Sequence, residues 1–562
     1  MKPKETLNRY AKQFPIIPIA FLLIFSILLN ACSTASRETS NSNRAVTQDV
    51  SRNQTETVQS NTAISTNMPT GAPLSPSEMK SRQASDEPQK SSAERYAEIN
   101  ENPFLEAARA PLSTFSIDVD TASYANVRRF LNDGQMPPKD AVRTEELINY
   151  FEYDYPQPVG NVPFSVTTEA ADCPWNRNHR IVSIGLQGKK VSLDNAPPSN
   201  LVFLVDVSGS MNEPNKLPLL KQGLKLLVNQ LSAKDRVAIV VYAGNSGLAL
   251  PSTSADNKQE ILSSLNQLEA GGSTNGGQGI QLAYKIAEDN FIKNGNNRVI
   301  LATDGDFNVG LTGDNELVKM IEAKRQSGVF LSVLGFGTGN TNDSMMEKLA
   351  DKGNGNYAYI DTIEEARKAL GSQAAGTLYT IAKDVKIQVE FNPAQVAGYR
   401  LIGYENRLLA DRDFNDDKKD AGDIGAGTSV TALYEVVPIG QKVENPGVDA
   451  LKYSDQVASS SNNSNELLTV KLRYKDPNET ESKLLSIGLI DKQMAFEAAS
   501  DNLQFATAVA GFGLLLRDSR YKGAADYNNI LQTVERAGGN DLKGYRAELV
   551  ELIGKAKKLD RE

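Results

Sequence analysis

An unbroken apolar run, Leu201 to Val205, ends on the pattern Asp206-x-Ser208-x-Ser210. A strand that is apolar at every position is covered on both faces, which favours a parallel sheet with helices on either side. In such sheets ligands bind beyond the carboxyl ends of the strands, where the three polar side chains would lie. They offer only oxygen atoms, which suits a hard cation such as Mg²⁺.

Two later segments carry residues that could complete a coordination shell. Thr274 lies in the glycine-rich segment Gly271 to Gly277, and Asp304 follows a second apolar run, Val299 to Thr303. A flexible glycine backbone lets a hydroxyl approach a metal closely. The first pattern is weak by itself, because Asp, Ser and Gly after a strand are also ordinary turn and capping residues. The ordered set of five is much more specific, since each member lies just past a strand or in a glycine loop.

The five positions resemble the metal-ion-dependent adhesion site of the von Willebrand factor type A (vWA) domain. The resemblance implies that Ser208, Ser210 and Thr274 offer hydroxyls to a divalent cation, while Asp206 and Asp304 hold it directly or through water. Mg²⁺ is the preferred ion, with Mn²⁺ or Ca²⁺ as alternatives. The remaining coordination position would be filled by Asp or Glu from a protein partner. The flanks resemble those of bacterial envelope lipoproteins that carry this domain in the middle.

Strand and helix alternate through the central part of the chain, which predicts a doubly wound, mostly parallel α/β sheet of the Rossmann-like kind. Period-two alternation after it, as in Val385, Ile387 and Val389, predicts a β-sandwich-like domain. The predicted division is a signal peptide (1–31), a disordered Ser/Thr/Asn-rich tether (32–102), an N-terminal α+β domain (103–195), the vWA domain (196–376), a C-terminal β-rich domain (377–495) and C-terminal helices (496–562).

The N-terminus predicts export and lipidation. Basic residues precede the apolar stretch Ile16 to Leu29, and Leu29-Asn30-Ala31-Cys32 follows. This ending resembles the lipobox of bacterial lipoproteins, with cleavage before Cys32 and lipid added to it. A plain membrane anchor is the weaker alternative, because a spanning helix needs ~20 apolar residues. Ser33 resembles the residue found in lipoproteins sent to an outer membrane, so we expect a location there, facing the periplasm.

Composition argues against several other functions. Acidic residues exceed basic ones by nine, and no basic stripe suggests a nucleic-acid partner. The segment Gly335 to Gly339 lacks the third glycine of a dinucleotide loop, and the loop at Gly271 lacks the lysine of a P-loop, so no nucleotide is expected. The chain has one histidine, His179, and two cysteines, Cys32 and Cys173. These are too few residues for a histidine-rich zinc site and give little support to a serine-histidine or cysteine-histidine catalytic site.

These observations favour a tethered, metal-dependent binding protein that is not an enzyme. Two alternatives remain: a scaffold in which the metal only stiffens the loops, and a Mg²⁺-dependent enzyme or enzyme subunit with Asp304 or Asp306 as its base. Asp118 and Asp120 could suggest a second metal site. We prefer helix capping by Asp120 or Thr121 for that pair.

Overall fold

The structure, a computed structural model, describes residues 94–191, 196–244, 246–272, 276–305, 314–443 and 464–561. The predicted signal peptide, the lipidation residue Cys32, most of the predicted tether, Thr274 and Asp306 lie outside these residues. The predictions made for them therefore remain predictions.

Sixteen strands and twelve α-helices form the described fold. In chain order the strands are β1 Leu105–Glu106, β2 Leu112–Ser116, β3 Phe164–Asp172, β4 Arg180–Gly188, β5 Ser199–Asp206, β6 Arg236–Tyr242, β7 Ser246–Ser254, β8 Asn296–Thr303, β9 Phe330–Phe336, β10 Tyr357–Ile360, β11 Thr380–Phe391, β12 Val396–Ile402, β13 Ile424–Gly425, β14 Ser429–Pro438, β15 Glu466–Lys475 and β16 Lys483–Ile490. The helices are α1 Ala122–Asn132, α2 Thr144–Asn149, α3 Leu217–Gln230, α4 Lys258–Gln267, α5 Gly276–Asp289, α6 Asp314–Lys324, α7 Asp343–Lys352, α8 Ile363–Arg367, α9 Ala374–Leu378, α10 Asp501–Leu516, α11 Tyr527–Arg536 and α12 Tyr545–Leu559.

The central region is the predicted α/β domain. Its six-stranded sheet has the order β10-β9-β8-β5-β6-β7, and all strands except β7 run parallel. Every residue of β5 is buried, as its unbroken apolar run predicts. Helices α3, α4 and α8 pack on one face, and α5, α6 and α7 pack on the other. The edge strand β7 is missed by sequence reasoning because Pro251 interrupts it and its outer residues are exposed.

The two flanking segments build one β-sandwich together. One antiparallel sheet has the order β1-β12-β14-β4-β3, and the second has the order β13-β11-β15-β16, with β2 also paired to β11. In the first sheet Val430 lies opposite Leu186, and in the second Ile387 lies opposite Phe115. The flanks that the sequence separates into two domains are therefore not separate. Each supplies strands with one apolar face, and those faces are buried only when strands from both flanks combine.

The C-terminal helices also pack against the N-terminal flank. Phe505, Val509, Phe512 and Leu516 are buried, which confirms the predicted core stripe of α10. That helix is apolar on almost every face because it lies between α2 on one side and α11 on the other. The same core cluster includes residues of α1, α2, α11 and α12.

Two further predictions are corrected by the described contacts. The tether does not extend to residue 102, since Asn102 is buried and its Nδ2 donates to the carbonyl oxygens of Leu401 and Gly403 at 3.2 and 2.8 Å. The predicted capping of α1 by Asp120 or Thr121 is wrong, since the N-cap residue Thr121 makes no capping hydrogen bond and Oε2 of Glu146 instead accepts from the backbone N–H of Ser123 at 2.8 Å. Asp120 instead accepts a hydrogen bond from the backbone N–H of Tyr357 at 2.8 Å. Within the described residues, no helix has the length and apolar character needed to cross a membrane.

Candidate metal centre

Asp206 ends the central strand β5 at the carboxyl edge of the sheet and is fully buried. Its Oδ1 accepts a hydrogen bond from the backbone N–H of Ser208 at 2.9 Å. Its Oδ2 accepts from the hydroxyls of Tyr242 at 3.2 Å and Thr303 at 3.1 Å. Both hydroxyls arrive there because β6 and β8 flank β5 in parallel and end at the same level. The carboxylate is thereby held in one orientation.

The two predicted serine ligands lie in the turn that follows. Ser208 is buried and Ser210 is half-buried at the start of a short 3-10 turn, Gly209–Asn212. Their Oγ atoms lie 3.0 Å apart. Two neutral hydroxyls so close to a buried carboxylate form one face of an oxygen-rich crevice.

Asp304 lies one residue beyond β8, and it is also fully buried. Its Oδ2 accepts a hydrogen bond at 3.1 Å from the ammonium of Lys216, a side chain that is only 4% exposed. The side chain of Lys216 packs against Gly337. A Cβ atom on residue 337 would lie 2.2 Å from the lysine Cε, so a larger residue there would clash with the lysine. Sequence reasoning missed Lys216, although a lone lysine between the serine turn and α3 was the available signal.

The glycine loop is hydrogen-bonded to the serine turn on the other side of the crevice. The backbone N–H of Gly271 donates to the carbonyl of Val207 at 2.7 Å, and that of Gly209 donates to the carbonyl of Gly272 at 3.0 Å. Gly272 has φ +90°, a conformation that favours glycine. Thr274 belongs to this loop but lies outside the described residues. The described residues of the loop, Gly271 and Gly272, thus lie against the turn.

The electrostatics of the crevice favour a bound positive charge. Burial, with a smaller contribution from the nearby Asp304 carboxylate, raises the pKa of Asp206 to about 6. Two buried carboxylates and two hydroxyls form the described donor set, which suits a hard cation of the Mg²⁺ type. Softer metals prefer His and Cys ligands, which these residues do not supply. In the described part of the chain no group of three or more His, Cys, Asp or Glu is arranged to hold a metal, so hydroxyl oxygens would have to complete the shell here. The residues present therefore fit the predicted ion.

The fold and this strand-end crevice define a protein with a vWA domain, and the profile of the von Willebrand factor type A domain matches residues 200–372. Such a domain indicates a role in protein interaction or scaffolding. A von Willebrand factor profile matches residues 90–183, and the profile described as "Uncharacterized protein YfbK, C-terminal" matches residues 376–559. The chain belongs to the YfbK family: it is 47% identical over 467 residues to the YfbK protein of Escherichia coli (strain K12), covering 82% of this chain and 80% of that protein.

Two further similarities have lower sequence identity. Inter-alpha-trypsin inhibitor heavy chain H3 of Homo sapiens is 28% identical over 259 residues, which is 42% of this chain and 28% of that protein. Among solved structures, a von Willebrand factor type A protein from Catenulispora acidiphila aligns with 15% identity and a TM-score of 0.39, covering 70% of this chain and 89% of that one.

Proposed function

We propose that the protein is an envelope-tethered lipoprotein whose vWA domain binds a divalent cation, Mg²⁺ in the first place, and captures a protein partner through an Asp or Glu of that partner. One observation carries the proposal. Asp206, Ser208, Ser210 and Asp304 converge on one crevice at the carboxyl edge of the sheet, beside the loop that contains Thr274. That edge is where parallel sheets bind ligands.

The chain's own groups explain why a carboxylate would be attracted there. Three of the five proposed ligands are neutral hydroxyls, so a cation held by them keeps most of its charge and favours an acidic sixth ligand. Lys216 donates to Asp304 and offsets part of the charge of that carboxylate. The hydrogen bonds from Tyr242 and Thr303 fix Asp206, so binding would require little rearrangement of its side chain.

A binding role, and not a catalytic one, is part of the proposal. The only histidine, His179, is buried in the flanking region, where its Nδ1 lies 2.6 Å from Oε1 of Glu435. Cys173 is buried as well, and burial raises the pKa of its thiol well above the usual value, which disfavours the reactive thiolate. The anchoring part of the proposal rests on Cys32 and the apolar segment before it.

Titration calorimetry on the purified chain tests the metal site. We expect one site for Mg²⁺ or Mn²⁺, and we expect Asp206→Ala to abolish measurable binding because it removes a fixed buried ligand. Ser263→Ala, at an exposed serine of α4, is the matched control and should bind like the wild type. Unchanged affinity in Asp206→Ala would remove the metal from this proposal.

Capture from envelope extracts, with and without a chelator, tests the partner. Thr274→Ala should lose capture, whereas Thr274→Ser keeps a hydroxyl at the same position and should retain it. Capture that persists in chelator, or that is lost equally in both variants, would contradict a metal-mediated contact.

The ion pair between Lys216 and Asp304 gives specific support to a second candidate, a scaffold that works without metal-mediated capture. A buried ammonium already neutralises one carboxylate of the crevice. In that case the partner would bind elsewhere, and capture would be insensitive to chelation and to Asp206→Ala alike.

A further inference from the structure

The edge strand β16 has the features of a pairing surface. It forms one end of its sheet and pairs only with β15. Within the described residues, no backbone hydrogen bond outside that pairing involves β16, so its outer edge has no backbone partner there. Residues 484–490 contain no charged residue and no proline. Unprotected edges of this kind pair readily with another strand.

The edge strands β7 and β3 carry protective features that β16 lacks. The edge strand β7 contains Pro251, and its register shifts twice along β6. The edge strand β3 carries Thr167, Thr168 and Glu169. Proline, irregular register and polar or charged side chains are the usual devices against unwanted strand pairing.

The outer face of β16 is apolar at both ends. Leu484 is 56% exposed and Ile490 is 55% exposed, while Ser486 and Gly488 between them are small. On the opposite face Leu485 and Leu489 pack toward the core of the sandwich. On the outer face of the same sheet, charged side chains lie on the neighbouring strands, where Lys471 of β15 pairs with Glu390 of β11.

We infer that β16 pairs with β16 of a second copy in antiparallel fashion, centred on Ile487, to give a twofold dimer. The sequence of the strand is self-complementary about that centre. Antiparallel pairing places Leu484 opposite Ile490, Leu485 opposite Leu489, Ser486 opposite Gly488 and Lys483 opposite Asp491. Apolar residues then oppose apolar residues, as a self-complementary twofold strand interface needs. No like charges oppose each other at the two ends, where Lys483 and Asp491 also pair within their own chain with Asp476 and Arg180.

The shared edge would join the second sheet of each sandwich into one continuous antiparallel sheet. Neither vWA domain takes part in this pairing, so the dimer does not depend on the metal centre. Exposed outward positions offer a direct test, since substitution at Leu484 or Ile490 changes the interface without entering the core.

The experiment measures the number of chains per particle by light scattering and sedimentation, using the full chain in detergent across about a hundredfold range of concentration. We expect two chains for the wild type. The double variant Leu484→Lys/Ile490→Lys places lysine opposite lysine at both ends and should give one chain. Leu484→Lys/Ile490→Glu places opposite charges there and should restore two chains. Leu248→Lys, at an exposed position of β7, is the control and should leave two chains.

Three results would overturn the inference. A single chain in the wild type would mean that β16 does not pair with itself, even if a strand of another protein binds there. Two chains in both double variants would place the interface elsewhere. One chain in both would rule out the pairing centred on Ile487.

Discussion

Lys216 places an ammonium group against a carboxylate at the bottom of the candidate metal centre. Both side chains are almost fully buried, and the donor-acceptor distance is 3.1 Å. Removing one member of a buried ion pair leaves the other charge uncompensated, which costs more than the loss of an exposed pair. Here the carboxylate that loses its ammonium would be Asp304, close to the second buried carboxylate, Asp206.

We therefore expect Lys216→Met to lower the free energy of unfolding by about 3 kcal/mol in the absence of metal. Urea unfolding of the wild type and the variant measures this difference in the free energy of unfolding. If the centre binds Mg²⁺, saturating Mg²⁺ should recover part of the loss, since a ligand of the folded state stabilises it. Lys285→Met breaks an exposed pair with Asp289 and should change stability far less, because solvent screens that pair. Equal effects for the two variants would show that the buried pair is unimportant for stability.

Lys368 is a second buried lysine, in the turn after α8. Burial lowers its pKa from 10.5 to about 7, and the opposing effect of Glu365 does not prevent this. Its Nζ donates to the carbonyl of Tyr150 at 2.7 Å. The other charged groups that act on it are Arg128, Glu152 and Glu548.

The lowered pKa predicts a stability term that depends on pH. Between pH 7 and pH 10 the unfolded lysine keeps a proton that the folded one releases, so the free energy of unfolding rises with pH in this window and falls as pH drops toward 7. Lys368→Met removes the term. The stability of the wild type relative to the variant should increase by about 2 kcal/mol from pH 7 to pH 9 in urea unfolding. Lys348→Met, at an exposed lysine of α7, should show no such trend. A constant difference for Lys368→Met would contradict the shift.

At the scale of elements, the first described residues lie against the loop between β9 and α7. The backbone N–H of Arg95 donates to the carbonyl of Thr341 at 2.9 Å, and that of Gly339 donates to Oε1 of Glu94 at 2.9 Å. Glu94 also pairs with Arg129 of α1 at 2.8 Å. The same loop contacts Gly305, where a Cβ would lie 2.6 Å from the backbone nitrogen of Asn342, so it lies directly beside Asp304.

Glu94 should therefore hold this loop in place. In Glu94→Ala we expect hydrogen exchange at the Gly339 and Arg95 amides to become at least about tenfold faster, because a charge-assisted hydrogen bond contributes about 1.5 to 3 kcal/mol. Glu98→Ala, at an exposed position nearby, should leave both amides unchanged. Unaltered exchange in Glu94→Ala would mean that other contacts hold the loop.

For the whole molecule, Arg407 joins the vWA domain to the sandwich. Its guanidinium lies 3.1 Å from Asp118 and 3.2 Å from Asp120 in the N-terminal flank. It also contacts Asp351 and Glu347 of α7 in the vWA domain. The planar, permanently charged guanidinium of arginine can pair with several carboxylates at once, which the single ammonium of lysine does less well.

Arg407→Met should lower the free energy of unfolding by about 3 kcal/mol or more, since several buried carboxylates lose their counter-charge. We also expect calorimetry to resolve two unfolding transitions in the variant that lie closer together in the wild type. The substitution weakens the contact between the vWA domain and the sandwich, which have separate cores. Arg412→Met, at a side chain that is 91% exposed, is the control. A single transition at an unchanged temperature would contradict this role.

The vWA sheet and the placement of Asp206 and Asp304 at one edge of it follow from the sequence alone. Local patterns suffice there: an apolar run such as Leu201 to Val205 specifies a strand buried on both faces, and parallel strands bring Asp206 and Asp304 to the same edge. Tertiary structure alone decided that β14 pairs with β4 and that β2 pairs with β11. Period-two alternation shows that a strand has one apolar face but carries no information about its partner across an inserted domain. Lys216 was missed for the same reason, because its carboxylate partner lies 88 residues along the chain.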